Sequence, residues 1–452
     1  MRRDVRRLSP FRTIAGFFVV LGFALFSGAS PASAHIDQLG SSPAPGETLT
    51  AFPPTLSVSF GEDVFAVFVS MQVLRGTPEA PGEPVATLDR VTTEPSTTVE
   101  FKLPPSVPAP TETGAFVAHW RYYGLDGHTM EGYVPFSVGT SPSSGAGSEG
   151  TPPLSTGPPT SSPSYTSSAS LSVLYPALRA GARLFVFLSS AMLLGVLFWS
   201  RQKMHAALKT EIAPVWNLAR TFAGYILAIS SALTAFASVM AAREAGVTSK
   251  HALASLVFSQ SVFVWIIAIV FALVATKEMW AIPVAVLLVA LATALSSHAA
   301  ALDAVWMSVL FSSLHVVALV VWAGPLLALG YLRATQGGFR AHPALPRLLA
   351  DGLERFSIWA ATSVAVLVIS GTRQAVAISE GLPHGVWGRY LMIKLFLAAL
   401  CVAPFGVFHH LAIKRARAGG AAWPVLRKTV WLECCGMTLV MVAGVVLAAT
   451  AH

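Results

Sequence analysis

Thr55-Leu56-Ser57-Val58-Ser59-Phe60 alternates apolar and polar side chains at every step. In an extended chain that period puts one face on a core and the other in water, so the stretch predicts a strand. Working outward, Thr97-Thr-Val-Glu-Phe-Lys-Leu103 repeats the pattern. Phe65-Ala-Val-Phe-Val-Ser-Met-Gln-Val-Leu74 and Gly114-Ala-Phe-Val-Ala-His-Trp-Arg-Tyr-Tyr123 are longer runs rich in β-branched and aromatic residues. Gly132-Tyr-Val-Pro-Phe-Ser-Val138 closes the set, and the turn clusters 43–46, 78–84 and 104–110 punctuate it. Short strands at this spacing, without a helical period, predict an all-β sandwich of about seven strands over residues 35–140.

Ahead of the sandwich lie Arg2, Arg3, Arg6, Arg7 and Arg12, then an apolar run from Ile14 to Phe26, then Ala32 and Ala34. A basic start, an apolar middle and small residues two positions apart form the pattern of a secretory signal peptide, here 1–34. Cleavage after Ala34 leaves His35 as the first residue. A terminal histidine offers an amine and an imidazole, and nitrogen donors suit copper and zinc. Any residue can come first, so His35 alone argues little without partners elsewhere.

Partners occur at Leu125-Asp126-Gly127-His128. Asp-Gly is a turn signal, and a carboxylate and an imidazole two positions apart can point the same way. With His35 they supply an amine, two imidazoles and a carboxylate oxygen, a set suited to tetragonal Cu(II). An Asp-x-His pair by itself is more often an ordinary surface turn. The wider context is more specific. His35-Ile-Asp-Gln-Leu-Gly-Ser-Ser-Pro-Ala-Pro-Gly-Glu-Thr-Leu49, Val58-Ser-Phe-Gly-Glu62 and the run from Trp120 through Asp126-Gly127-His128 to Val138 resemble the CopC copper-binding proteins. The resemblance implies an immunoglobulin-like, cupredoxin-like Greek-key sandwich with His35, Asp126 and His128 as Cu(II) ligands. Leu125 stands where the family often has a small residue. Met71 and Met130 are the only methionines between 35 and 140, so the Met-rich Cu(I) loop of some relatives is missing. Met71 reads as core, Met130 as a weak extra contact, and His119 as a structural or surface residue.

The whole chain is 54% hydrophobic and 12% charged, against about 25% charged in soluble globular proteins. The deficit falls in the second half. Residues 141–172 are Ser, Pro, Gly and Thr with few large apolar side chains, a composition that predicts a flexible linker. From 173 to 452 come apolar segments near 174–200, 216–241, 254–275, 279–297, 305–332, 356–379, 389–412 and 428–450. Crossing a hydrocarbon core takes about 20 residues, so an all-α bundle of eight transmembrane helices is expected. An exported sandwich makes the first span run inward. Alternation then places Arg201, Lys203, Lys209, Lys277, Arg333, Arg340, Arg347, Arg355, Lys414, Arg415, Arg417, Arg427 and Lys428 inside, as the positive-inside rule requires. The net charge of +8 therefore reads as membrane topology, not a nucleic-acid surface. The cysteines Cys401, Cys434 and Cys435 lie in late apolar segments, so the exported part holds no disulfide.

Ionisable groups within a bilayer are costly and tend to have a task or a partner. His298, Asp303 and His384 fall on the outer side, and His315 near mid-membrane, with Met307 and Trp322 expected on its face. Lys394 lies in the outer part of the seventh span, and His409-His410 and Glu433-Cys434-Cys435-Gly-Met437 on the inner side. Imidazole, carboxylate, thiol and thioether at successive depths suggest a copper path through His298, Asp303, His315, His409, Glu433 and Cys434, softening inward. The competing reading is ordinary packing: interfacial histidines are common, and cysteine behaves as a small hydrophobe. Leu314-His-Val-Val-Ala-Leu-Val-Val-Trp-Ala-Gly-Pro325, Glu354-Arg-Phe-Ser357 with Ser370-Gly-Thr372, Gly388-Arg-Tyr-Leu-Met-Ile-Lys394 and Glu433 resemble the CopD copper-resistance membrane family across about 175–450. Pro325 and Trp387 depart from its pattern.

The expectation is a non-enzymatic plasma-membrane protein whose copper-binding domain faces the extracellular or periplasmic side. It captures copper there and moves it inward to an intracellular copper acceptor, contributing to copper homeostasis or resistance. No Walker motif or phosphorylation motif is visible. The rivals are a haem- or copper-dependent membrane oxidoreductase and a copper sensor without transport.

Overall fold

The structure is a computed structural model that describes residues 38–105, 113–124, 129–139, 169–203, 206–244, 261–297, 305–335, 345–379, 388–400, 411, 414 and 423–449. The chain divides into two compact units, one containing all the strands and the other the bulk of the helices.

The first unit is a two-layer β-sandwich. One sheet has the order β1 (Gln38–Ser42), β3 (Thr55–Val64), β7 (Ser96–Lys102), β6 (Asp89–Arg90). The other runs β2 (Glu47–Leu49), β9 (Thr129–Val138), β8 (Gly114–Tyr123), β4 (Val69–Thr77), β5 (Ala80–Thr87). All pairs are antiparallel except β2 with β9. Alternation sends Leu56, Val58 and Phe60 inward from β3, with Val99 and Phe101 beside them, all at most 1% exposed. Met71, Phe116, Trp120 and Phe136 meet them from the second sheet. Each such side chain contributes roughly 1.5–3 kcal/mol on burial.

Among the described residues nine strands form where about seven were expected. Part of the difference is the Pro-rich cluster 78–84, read from sequence as a turn. Pro81 and Pro84 sit within β5, which occupies a sheet edge. A proline lacks the N–H that a ladder donor needs, and an edge strand, paired on one side only, accommodates two of them readily. The run 65–74 is also not one strand: Ala66–Phe68 form a 3₁₀ turn before β4 begins at Val69.

The second unit contains α1 (Ala169–Ser200), α2 (Ala206–Glu244), α3 (Ser261–Ala275), α4 (Ala281–Leu295), α5 (Val305–Thr335), α6 (Leu345–Ser379), a helical run α7 over 388–400, and α8 (Trp423–Ala449). Among the described residues these eight helical runs fit the eight-helix expectation. Four contain stretches long and apolar enough to cross a membrane: Ala177–Ser200, Lys209–Arg243, Trp306–Leu332 and Asp351–Val376. Ser261–Ala275, Ala281–Leu295 and Leu432–Ala448 are shorter apolar helices. Helix α1 starts at Ala169, so the last residues of the expected linker are already helical. Large side chains such as Phe222, Ile229, Phe263 and Ile358 point outward, the arrangement a lipid solvent favours.

Small residues bring the helices together. A Cβ on Gly195 of α1 would overlap the Gly324 carbonyl oxygen of α5, and one on Gly324 would stand 2.5 Å from the Ala191 carbonyl oxygen. Trp199 Nε1 donates to the Pro325 carbonyl at 2.7 Å, so Pro325, a departure from the family pattern, marks a packing contact. Arg183 of α1 donates to the carbonyl of Ser296 and to its Oγ at 2.9 Å. A cation there satisfies the carbonyl end of α4, where the helix dipole is negative.

Candidate metal centre and membrane path

The residues expected to hold Cu(II), namely His35, Asp126 and His128, lie outside the described residues. Their frame lies within them. Strand β1 begins at Gln38, three positions after His35, and there it pairs with Phe60 of β3. Strands β8 and β9 remain paired up to Tyr123 opposite Thr129, so 125–128 belongs to the short connection between them. Trp120 links the two places. Its Nε1 donates to Gln38 Oε1 at 2.9 Å across the sandwich. Its ring meets Phe60 edge-on, with centroids 5.2 Å apart. Gly132, opposite Trp120 in register, makes room for the indole: a Cβ there would stand 2.6 Å from ring carbons.

Other sandwich residues have settled roles. Met71 is 1% exposed and Met130 7%, so both are core; for Met130, expected as a weak extra contact, strand alternation turns the side chain inward. His119 is buried, with a ring nitrogen 3.0 Å from Glu131 Oε2 and its ring stacked on Tyr133 at 4.4 Å. Arg121 Nε donates to the same carboxylate at 3.2 Å. The His119 hydrogen bond, helped by Arg121, holds the Glu131 carboxyl below its ordinary range despite partial burial. His119 is thus a structural residue.

In the helical unit, His298, Asp303 and His409 lie outside the described residues. His315 sits on α5 against α6: its Nδ1 is 2.9 Å from Ser370 Oγ. A Cβ on Gly371 would stand 3.3 Å from its Cε1. Lys394 of α7 places its Nζ over Gly444 of α8. The expected shared face is only partly formed. Trp322 is buried at 8% exposure, whereas Met307 is 51% exposed. Eight residues amount to some 80° more than two full turns, enough to carry Met307 off the face. Glu433 and Cys434 are both buried on α8. Cys434 Sγ donates to the Leu326 carbonyl at 3.3 Å and fills the space over Gly330, where a Cβ would stand 2.9 Å away. Along α5, Gly330 is about 22 Å from His315 at 1.5 Å per residue. Among the described residues, no three His, Cys, Asp or Glu side chains gather as a metal cluster.

Sequence reading did not single out Gln38, Trp120 as an anchor, or Ser370 as the partner of His315. Trp120 and Ser370 do stand inside the quoted motifs, whereas Gln38 carries no local signal.

A β-sandwich joined to an apolar helical bundle defines a multi-pass membrane protein with an attached β domain. Residues 39–139 match the CopC domain, and residues 350–447 match Copper resistance protein D. Over 414 residues the chain is 24% identical to the Copper transport protein CutJ of Bacillus subtilis (strain 168), spanning 86% of this chain and 70% of that protein. Among solved structures it is similar to CopC from Methylosinus trichosporium OB3b, at 24% identity, 23% of this chain, 94% of that one and a TM-score of 0.19. It is also similar to PcoC, a methionine-rich copper resistance protein from Escherichia coli, at 20% identity, 23% of this chain, 99% of that one and a TM-score of 0.19. The chain therefore carries a CopC domain and a CopD-family membrane domain in one polypeptide.

Proposed function

We propose that this protein captures Cu(II) outside the membrane and carries copper inward. His35, through its amine and imidazole, and Asp126 and His128 hold the ion on the exported sandwich. The observation that carries this reading is the Trp120–Gln38 hydrogen bond, which ties the strand that follows His35 to the strand that leads into Asp126 and His128. The two copper-family matches and the similarity to a copper transport protein support the choice of metal. Within the bundle, His298 and Asp303 receive copper, His315 relays it near mid-membrane, and His409, Glu433 and Cys434 pass it to an intracellular acceptor. Nitrogen and oxygen donors suit Cu(II), and sulfur suits Cu(I), so the route includes a reduction by a donor outside this chain. The protein is a non-enzymatic binding and transport protein, with the basic residues between its spans on the cytoplasmic side. A haem-bearing reductase would need histidines facing across helices. The group that faces His315 from α6 is the Ser370 hydroxyl, which favours transport.

Copper flux into proteoliposomes holding the full chain, with a soluble one-electron reductant such as ascorbate supplied to reduce Cu(II) to Cu(I), tests the reading. Uptake toward the side carrying the basic loops supports it, and absent flux overturns it. His35→Ala and His128→Ala should each weaken Cu(II) binding by at least tenfold (~1.4 kcal/mol); unchanged binding would sink the capture step.

A further inference from the structure

The contact between His315 and Ser370 fixes more than a position. A serine hydroxyl carries one proton. Ser370 Oγ donates to the Val366 carbonyl at 2.5 Å, with the Leu367 carbonyl a weaker alternative at 3.4 Å. Toward His315 Nδ1, at 2.9 Å, a hydroxyl with its proton so placed accepts. Only an N–H can donate to it, which puts the ring proton on Nδ1. In a neutral imidazole the second nitrogen is then bare. Gly371 lets the ring edge approach the α6 backbone, its absent Cβ leaving 3.3 Å to Cε1 and 3.6 Å to Nδ1. Ring orientation is thus set from one side.

We propose that His315 binds copper in transit through Nε2 and that Ser370 is its positioning residue. Metal-binding histidines generally give the other ring N–H to an oxygen acceptor, which fixes the tautomer and raises ligand basicity. Here the acceptor is a hydroxyl whose own proton is committed to the helix it sits on. The proposal rests on the transport reading above and gives its mid-membrane stop a ligand atom.

The test uses the full-length protein in nanodiscs, labelled with ¹⁵N-histidine and free of metal. His315→Gln identifies the His315 signals by their disappearance. The expected wild-type pattern is a protonated Nδ1 and an unprotonated Nε2. Ser370→Ala should give a mixture of tautomers, and Ser370→Thr, which keeps the hydroxyl, should restore the single form. Ag(I), a diamagnetic stand-in for Cu(I), should shift Nε2 and leave Nδ1 in place. Ser370→Ala should weaken Ag(I) binding at this site by about tenfold, as losing the partner of a metal-binding histidine typically does. A bare Nδ1 in the wild type overturns the proposal, and so does Ag(I) acting at Nδ1, whether or not Ser370→Ala folds. The tautomer is read without metal, so its failure is separate from a failure of copper flux.

Discussion

Trp120 and Gln38, 82 residues apart, share a 2.9 Å hydrogen bond that joins the two sheets at one end of the sandwich. The bond does not touch the proposed ligands. It shortens the search their two backbone segments would otherwise make. Trp120→Phe keeps a ring against Phe60 and removes only the N–H. The loss of one such bond is worth about 1 kcal/mol, so Cu(II) affinity of the full chain should fall about fivefold. A competition titration with a chromophoric chelator measures it. Equal affinity in both proteins would mean that the ligands do not depend on this tie.

Glu131 makes stability depend on pH in a defined direction. Its carboxyl titrates below the ordinary value because His119 and Arg121 bond the charged form. A group lowered on folding stabilises above its unfolded pKa, and that contribution fades as pH falls through the folded value. The sandwich should therefore resist proteolysis less as pH drops from about 6 to about 3. Glu131→Gln should remove part of that slope. The carboxylate is half exposed, so the effect should stay within about 1 kcal/mol.

Lys394→Met replaces the amine that lies over Gly444 with an apolar stem of similar length. If that amine carries its proton and repels an ion in transit, metal should be retained more strongly and released more slowly. Protein passed through gel filtration after Ag(I) loading should keep more silver than the parent, and copper flux at saturating copper should fall. Less retained silver would show that Lys394 helps to hold the ion rather than release it.

Cys434 already has a packing role over Gly330 and a hydrogen bond to Leu326. Cys434→Ser preserves a donor of similar size and removes only the sulfur. If sulfur binds Cu(I) on the inner side, flux should fall several-fold while thermal stability changes by less than about 1.5 kcal/mol. Unchanged flux would assign Cys434 to packing alone.

The sandwich was legible because alternation is a local signal. The run 114–123 read from sequence is strand β8 itself, and 305–332 lies within helix Val305–Thr335. Edge position is not local, and so the prolines of β5 read as a turn. Nor are partnerships across the fold: nothing near Gln38 points to Trp120, and nothing near Ser370 points 55 residues back to His315. Gly132 shows the same limit. Its need for glycine comes from an indole on the neighbouring strand. Helical phase failed at Met307 because a spacing of eight residues is about 80° off two full turns, too far to share a face with His315.

The contact of Gly195 with Gly324 divides labour among the helices. Two backbones that meet without side chains between them cannot slide or rotate independently, and Trp199 pins the pair again at Pro325. Helices α1 and α5 therefore behave as one fixed post, and His315 is mounted on it. His315 is thereby held at a fixed height relative to α1, on a helix whose other side packs against Ser370 and Gly371 of α6.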